Sequence, residues 1–246
     1  GEALAGAKEL ARLLGEGLLK SVDVREIALS SPHDGVRQHV LRGLIARAEG
    51  DAVDTQALTD ALNLAIAIAG SPASSPASFA VAATVVERAM RHKQGHPTID
   101  ELGDLTPLIE RVARAADPGV SRSILKVFRA LASWGASAAL RDAATAVLHL
   151  ADFGPVSDGR RQLANLLRSL ARDDAGRHWL AATACDGVVA ELPSENAIAL
   201  GVAVGNVLGW RGHEFMSIRA AVRGRPDIVR QLERAQESGP RGSGFA

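Results

Sequence analysis

The sequence is poor in cysteine, in aromatic residues and in net charge. Its 246 residues include one Cys, five Phe, three Trp and no Tyr, and 28 Lys and Arg balance 28 Asp and Glu. One Cys excludes an intramolecular disulfide framework and any zinc site built from several cysteines. Zero net charge argues against a protein that coats nucleic acid, although a local basic stripe is compatible with it.

Helix-forming residues are abundant instead: Ala and Leu together contribute 74 residues. Apolar residues recur at spacings of three and four, as in Val120, Ile124, Val127 and Leu131, which is one face of an α-helix. Strand-like alternation is missing. The pattern predicts an all-α fold with helices at roughly 2–19, 22–30, 35–48, 55–69, 76–92, 99–116, 119–133, 137–151, 159–172, 176–191 and 195–209, and a last pair within 213–236.

The uncharged stretches are too interrupted by Gly, Pro, Asn and Ser to predict a membrane-spanning helix, which needs ~20 apolar residues. Together with the single Cys, this favours the cytoplasm or another reducing compartment.

The predicted helices come in pairs at near-constant intervals. Helix start signals at Asp34, Pro76, Pro118, Asp158 and Glu195 are separated by 42, 42, 40 and 37 residues. A repeat of about 40 residues built from two helices is typical of an α-solenoid. The alternative is an irregular helical bundle whose loops happen to be regularly spaced.

The repeat resembles the HEAT/armadillo class over about residues 20–210. Two units open with similar motifs, Asp-Gly-Val at 34–36 and Asp-Pro-Gly-Val at 117–120, and Arg37 and Arg122 follow these aspartates as in HEAT repeats. A regular Asn ladder is missing and 71–78 is an irregular insert. The resemblance implies a right-handed α-α superhelix of about five to six helical pairs. It would be a single domain over 1–236, followed by a tail at 237–246.

Arginines occupy equivalent places in four successive units, at Arg42, Arg88, Arg129 and Arg168, and Gly205 holds that place in the fifth. If these helices line the inner curve, the arginines form a ladder that could bind carboxylates or phosphates through their planar donor groups. The alternative is that they belong to the ordinary solvated face of amphipathic helices.

Two helices carry the densest basic stripes, at spacings that keep the side chains on one side of the helix. The residues are Arg122, Lys126 and Arg129 on one helix, and Arg161, Asn165, Arg168 and Arg172 on the other.

Catalytic and metal-binding patterns are weak. His92 and His96 are four residues apart, but Gly and Pro place them in a loop without a third ligand. Cys185 lies in an apolar stretch and is expected to be a buried, inert thiol. Phosphate-binding loops, nucleophile elbows and dinucleotide-binding motifs are missing. The sequence therefore predicts no catalytic residue, no metal site and no cofactor.

The three tryptophans are expected to fill gaps between helical pairs, or else to anchor a partner. Trp134 and Trp210 follow their helices at corresponding points two repeats apart, and Trp179 lies near a helix start.

Three functions remain as hypotheses. The first is a non-enzymatic scaffold or adaptor that binds a peptide or domain of another protein along its concave face. That partner could be acidic. The second is an α-solenoid that binds RNA or DNA. The third is a DNA-repair enzyme on a HEAT-like scaffold, which would need a carboxylate and aromatic walls around a base.

Overall fold

A computed structural model describes residues 2–16, 21–49, 54–71, 73–89, 125, 128–129, 132, 138–150 and 157–238. This part of the chain contains eleven α-helices and no strand, so the predicted all-α class is confirmed. The first five helices are α1 (Glu2–Gly15), α2 (Ser21–Ser30), α3 (Asp34–Ala48), α4 (Thr55–Gly70) and α5 (Pro76–Ala89).

The remaining helices are α6 (Ala138–Leu150), α7 (Ser157–Leu170), α8 (Asp174–Cys185), α9 (Ser194–Val204), α10 (His213–Ala221) and α11 (Pro226–Ser238). A 3₁₀ helix covers Gly187–Glu191 and a π-helical turn covers Gly205–Gly209. Two predicted helices, at 99–116 and 119–133, fall largely outside the described residues. Leu125, Phe128, Arg129 and Ala132 of the second are described, and all four are helical.

Helix α7 illustrates why this sequence forms amphipathic helices. Leu163, Leu166, Leu167 and Leu170 are each 0% exposed, and their spacing places them on one face. Arg168 lies on the opposite, exposed side. The leucines must pack against a neighbouring helix to leave water, whereas the basic side chains need contact with water or an anion. Helix α7 therefore lies with one face packed and the other exposed.

Carboxylates fix several helix starts. Asp54 accepts a hydrogen bond from the backbone N–H of Ala57 at 3.0 Å, and Asp173 accepts one from Gly176 at 2.6 Å. Both groups satisfy backbone donors that the first turn of a helix leaves unpaired. Asp173 is thus the N-cap residue of α8.

The helices contact both their neighbours in sequence and the second helix along the chain. One series of contacts runs through α1, α3 and α5, and α2 contacts α4 beside it. In the second half, α6 contacts α8 and α8 contacts α10, while α7 contacts α9 and α9 contacts α11. Within each half, alternate helices therefore pack against one another, and neighbouring helices such as α3 and α4, or α6 and α7, also contact each other.

One predicted helix end is wrong, and a second predicted helix changes type before its end. The helix predicted at 176–191 ends at Cys185, because Asp186 adopts an extended conformation and its carboxylate accepts a hydrogen bond from the N–H of Val188. The helix predicted at 195–209 is α-helical only to Val204 and continues as the π-helical turn. The last helix ends at Ser238, and most of the predicted tail, 239–246, lies outside the described residues.

Asp34 does not cap α3, although the sequence suggests that role, because the capping position belongs to His33 and lacks a side-chain bond. The Asp34 carboxylate instead accepts hydrogen bonds from Arg37 at 3.1 Å and from the hydroxyl of Ser78 at 2.8 Å. Arg37, whose side chain is 3% exposed, also donates to the carbonyl of Ser31 at 2.6 Å. This network joins α3 to the start of α5.

Replacing Asp34 with Ala should lower the free energy of unfolding by about 3 kcal/mol, because it leaves the buried guanidinium of Arg37 without its carboxylate. Urea denaturation at pH 7 measures the loss. Glu26→Ala, at an exposed position of α2, is the control and should change stability by less than about 0.5 kcal/mol. Equal losses in the two variants would contradict a stabilising role for the Asp34 network.

The same network predicts acid sensitivity. Burial raises the pKa of Asp34, but hydrogen bonds from Ser75 and Ser78 and the pairing with Arg37 outweigh it and leave the pKa below its ordinary value. The carboxylate therefore contributes stability above the unfolded-state pKa of about 3.9, and this contribution is lost as the pH falls through the lower folded-state value. Urea titrations from pH 7 to pH 2.5 should show the stability of Asp34→Asn converging on that of the native chain. A constant difference would contradict the prediction.

Candidate anion-binding cleft

A cleft of about 560 Å³ lies where the helix containing Arg129 meets α7, the start of α8 and the turn after α9. Its lining is basic and amide-rich, with two small apolar side chains. The residues are Arg129, Asn165, Arg168, Ser169, Ala171, Arg172, Arg177, Asn206 and Val207.

Helix α7 supplies the central wall. Asn165, Arg168, Ser169 and Arg172 are spaced by three and four residues, so one side of the helix and the residues just after it face the cleft. The leucines on the other face are buried and fix the rotation of α7 about its axis. The last carbonyls of α7 lie at the same end, and their partial negative charge favours arginines there.

Arg129 joins the wall from a neighbouring helix. One of its terminal nitrogens donates to the side-chain oxygen of Gln162 on α7 at 2.9 Å. Gln162 is neutral, so this bond orients the guanidinium while leaving its positive charge uncompensated. Gln162 is itself only 8% exposed, which makes the pair a fixed point of the cleft.

Two carboxylates next to the cleft, those of Asp173 and Asp174, already have partners in the chain. Both oxygens of Asp173 accept hydrogen bonds from one nitrogen of Arg141, at 3.0 and 3.1 Å, and one of them also caps α8. Arg177 pairs with Asp174 at 3.7 Å, but both side chains are more than half exposed, and such pairs contribute little. The side chains of Arg168 and Arg172 make no hydrogen bond or ion pair to a carboxylate of the described residues. Among the described residues, four guanidinium groups therefore line the cleft and no acidic residue does.

Gly205 and Trp210 shape the remaining wall. The indole ring of Trp210 lies against the backbone of Gly205 and meets Phe215 edge-on, with ring centroids 5.1 Å apart. A Cβ atom at Gly205 would fall on the ring, which explains why glycine, and not an arginine of the predicted ladder, stands at this position. Asn206 and Val207, next to Gly205 in the π-helical turn, line the cleft.

The structure brings together four of the predicted site residues: Arg129, Asn165, Arg168 and Arg172. Arg161 is exposed on α7 but does not line the cleft. Arg122 and Lys126 lie outside the described residues.

The first two arginines of the predicted ladder do not line the cleft. Arg88 pairs with Glu49, which follows α3. Arg42 is exposed on α3. The pKa of His39 is lowered mainly by partial burial of its ring, and also by the positive charges of Arg42 and Lys8.

Sequence reasoning missed the contributions of Arg177, Ser169 and Asn206. Ser169 was within reach, because it is four residues after Asn165 on the stripe already identified. Arg177 and Asn206 come from other helices, and no spacing rule connects them to α7.

The other candidate sites give a mixed result. Cys185 was expected to be buried but is exposed, because α8 ends at this residue. Its thiol lies 3.8 Å from the hydroxyl of Ser217. Trp179 donates from its ring nitrogen to Thr145 at 3.1 Å. Trp134, His92 and His96 fall outside the described residues. In the described part of the chain, no three His, Cys, Asp or Glu side chains cluster in a way that could hold a metal ion.

No helix within the described ranges has the length and apolar character needed to cross a membrane. Comparison of the chain with protein-family models, with curated protein sequences and with solved structures finds no match. The proposed function is therefore based on the geometry of the cleft.

Gly205→Ala should lower the free energy of unfolding by about 1–3 kcal/mol, because the added methyl group displaces the ring of Trp210. Urea denaturation followed by tryptophan fluorescence measures both the stability and the ring environment. Gly6→Ala is the matched control, since a Cβ there meets no atom within 4 Å, and it should be neutral or stabilising by up to about 1 kcal/mol. A neutral Gly205→Ala variant would refute the packing constraint.

Proposed function

We propose that this chain is a non-enzymatic interaction domain that binds an anionic segment of a partner protein in the arginine-lined cleft. Its helical pairs would stack as a right-handed α-solenoid of the HEAT/armadillo kind, acting as a scaffold or adaptor. The contacts between alternate helices support this arrangement, since stacked helical pairs pack in the same way. The lone Cys fits a reducing compartment.

The observation that carries the proposal is the uncompensated charge of the cleft. Four guanidinium groups share one concavity, and none of the described residues that line it is acidic. Their mutual repulsion is relieved when an anion enters, and each guanidinium can donate two parallel hydrogen bonds to a carboxylate or phosphate. Arg168 and Arg172 are exposed, so a ligand can reach both of them without unfolding any helix.

The cleft favours a protein segment over RNA or DNA. Proteins that bind single-stranded nucleic acid combine a basic groove with aromatic side chains on which bases stack. No aromatic residue of the described part of the chain lines the cleft, and the ring of Trp210 packs against Phe215 and Gly205. Nucleic-acid binding therefore remains the second candidate, supported only by the basic charge.

An enzymatic role has less support. A base-excising enzyme would need a carboxylate and aromatic walls in its pocket. Within the described ranges, the cleft lining includes neither an acidic nor an aromatic residue, and Trp179 donates its ring N–H to Thr145. The proposal accordingly assigns no catalytic residue, metal or cofactor.

Replacing both Arg168 and Arg172 with Glu should strongly weaken binding of an acidic probe. Fluorescence anisotropy with a labelled octaglutamate should show salt-sensitive binding to the native chain. Binding should weaken at least about tenfold in Arg168→Glu/Arg172→Glu, because two charge-assisted contacts become repulsive. Circular dichroism checks that both proteins keep the same helix content.

Arg223→Glu/Arg234→Glu is the matched control, since it changes the net charge equally at two exposed positions that do not line the cleft. It should retain binding. Equal weakening in both double variants would mean that the probe senses net charge and not the cleft. Displacement of octaglutamate by a lower concentration of single-stranded oligouridylate would favour the nucleic-acid alternative.

A further inference from the structure

We propose that the cleft selects a phosphate monoester carried on a side chain of the partner, such as phosphoserine, over an ordinary carboxylate. This inference rests on the proposed function and specifies the chemical group that the cleft recognises. It is based on the number of charges that converge, on the donors between them and on the character of the cleft walls.

Charge is the first consideration. The lining residues that the structure describes contribute four positive groups and no negative one. The Asp173 carboxylate, which directly follows Arg172, is held by Arg141 and by the start of α8. A carboxylate brings one negative charge to this cluster. A phosphate monoester brings about 1.5 to 2 at pH 7 and so relieves more of the repulsion among the arginines.

Donor number is the second consideration. A phosphate monoester has three strong acceptor oxygens, whereas a carboxylate has two. Besides the guanidinium groups, the lining includes the amides of Asn165 and Asn206 and the hydroxyl of Ser169, which are neutral donors on two different walls. Donors from several directions suit a tetrahedral group better than a planar one.

The cleft also has room for more than the charged group. Its volume of about 560 Å³ is typical of sites that hold a drug-sized ligand. Val207 adds apolar surface among the polar groups, against which the chain around a modified residue can pack. Free phosphate would leave most of this space unfilled.

A phosphodiester fits less well. Each phosphate of RNA or DNA carries a single negative charge, and its bases would find no aromatic surface among the lining residues that the structure describes. The same chemistry that favours a phosphate monoester thus separates a phosphorylated protein segment from nucleic acid.

The test uses the full chain and three labelled heptapeptides, Gly-Ser-Gly-Xaa-Gly-Ser-Gly, in which Xaa is phosphoserine, glutamate or serine. Fluorescence anisotropy at pH 7.5 should show the phosphoserine peptide binding at least about tenfold more tightly than the glutamate peptide, which corresponds to one additional charged hydrogen bond. The serine peptide should bind most weakly. Arg168→Glu/Arg172→Glu should remove the preference, and Arg223→Glu/Arg234→Glu should keep it.

The outcomes separate this inference from the proposed function. Equal affinities for the phosphoserine and glutamate peptides, with octaglutamate still bound in the cleft, would overturn the phosphate preference alone. Failure of every peptide, octaglutamate included, would overturn both proposals. A phosphoserine preference that survives in Arg168→Glu/Arg172→Glu would overturn the assignment to this cleft. Displacement of the phosphoserine peptide by a lower concentration of oligouridylate without a terminal phosphate would assign the site to nucleic acid.

Discussion

Burial of the apolar faces of the helices is the constraint on which the rest of the described structure depends. The core consists mainly of Leu, Ala, Val and Ile, with three fully buried Phe rings at positions 79, 128 and 215. Because the core has so few large rings, helices must approach closely to exclude water, and small residues make this possible. A Cβ atom at Gly43 would come within 2.7 Å of the carbonyl oxygen of Ala11, so α1 and α3 meet there without an intervening side chain.

The same constraint creates the cleft. Packing the leucine face of α7 fixes the opposite face outward, and the arginines on that face cannot turn inward without burying unpaired charge. Two uses of arginine in this chain show the contrast. Arg37 is buried and its charge is matched by Asp34, so it holds helices together, whereas Arg168 and Arg172 stay exposed and are available to a ligand.

Local chemistry made much of this predictable. The stripe on α7 follows from helical spacing, so Asn165, Arg168 and Arg172 could be placed on one side before the fold was known. Asp173 could be predicted as a helix cap because its side chain reaches the free N–H groups of the next turn. The early end of α8 at Cys185 was missed, because Asp186 hydrogen-bonds locally in competition with the helix.

The sequence by itself determined the all-helical class and the presence of basic stripes, since both follow from residue spacing along a 3.6-residue period. Only the tertiary structure decided which arginines share a site. It brought Arg177 and Asn206 from separate elements to the face of α7, engaged Arg88 with Glu49, and placed the ring of Trp210 over Gly205. Helical periodicity specifies directions around one axis, whereas a binding site depends on distances between axes, and those are set by how the apolar faces pack.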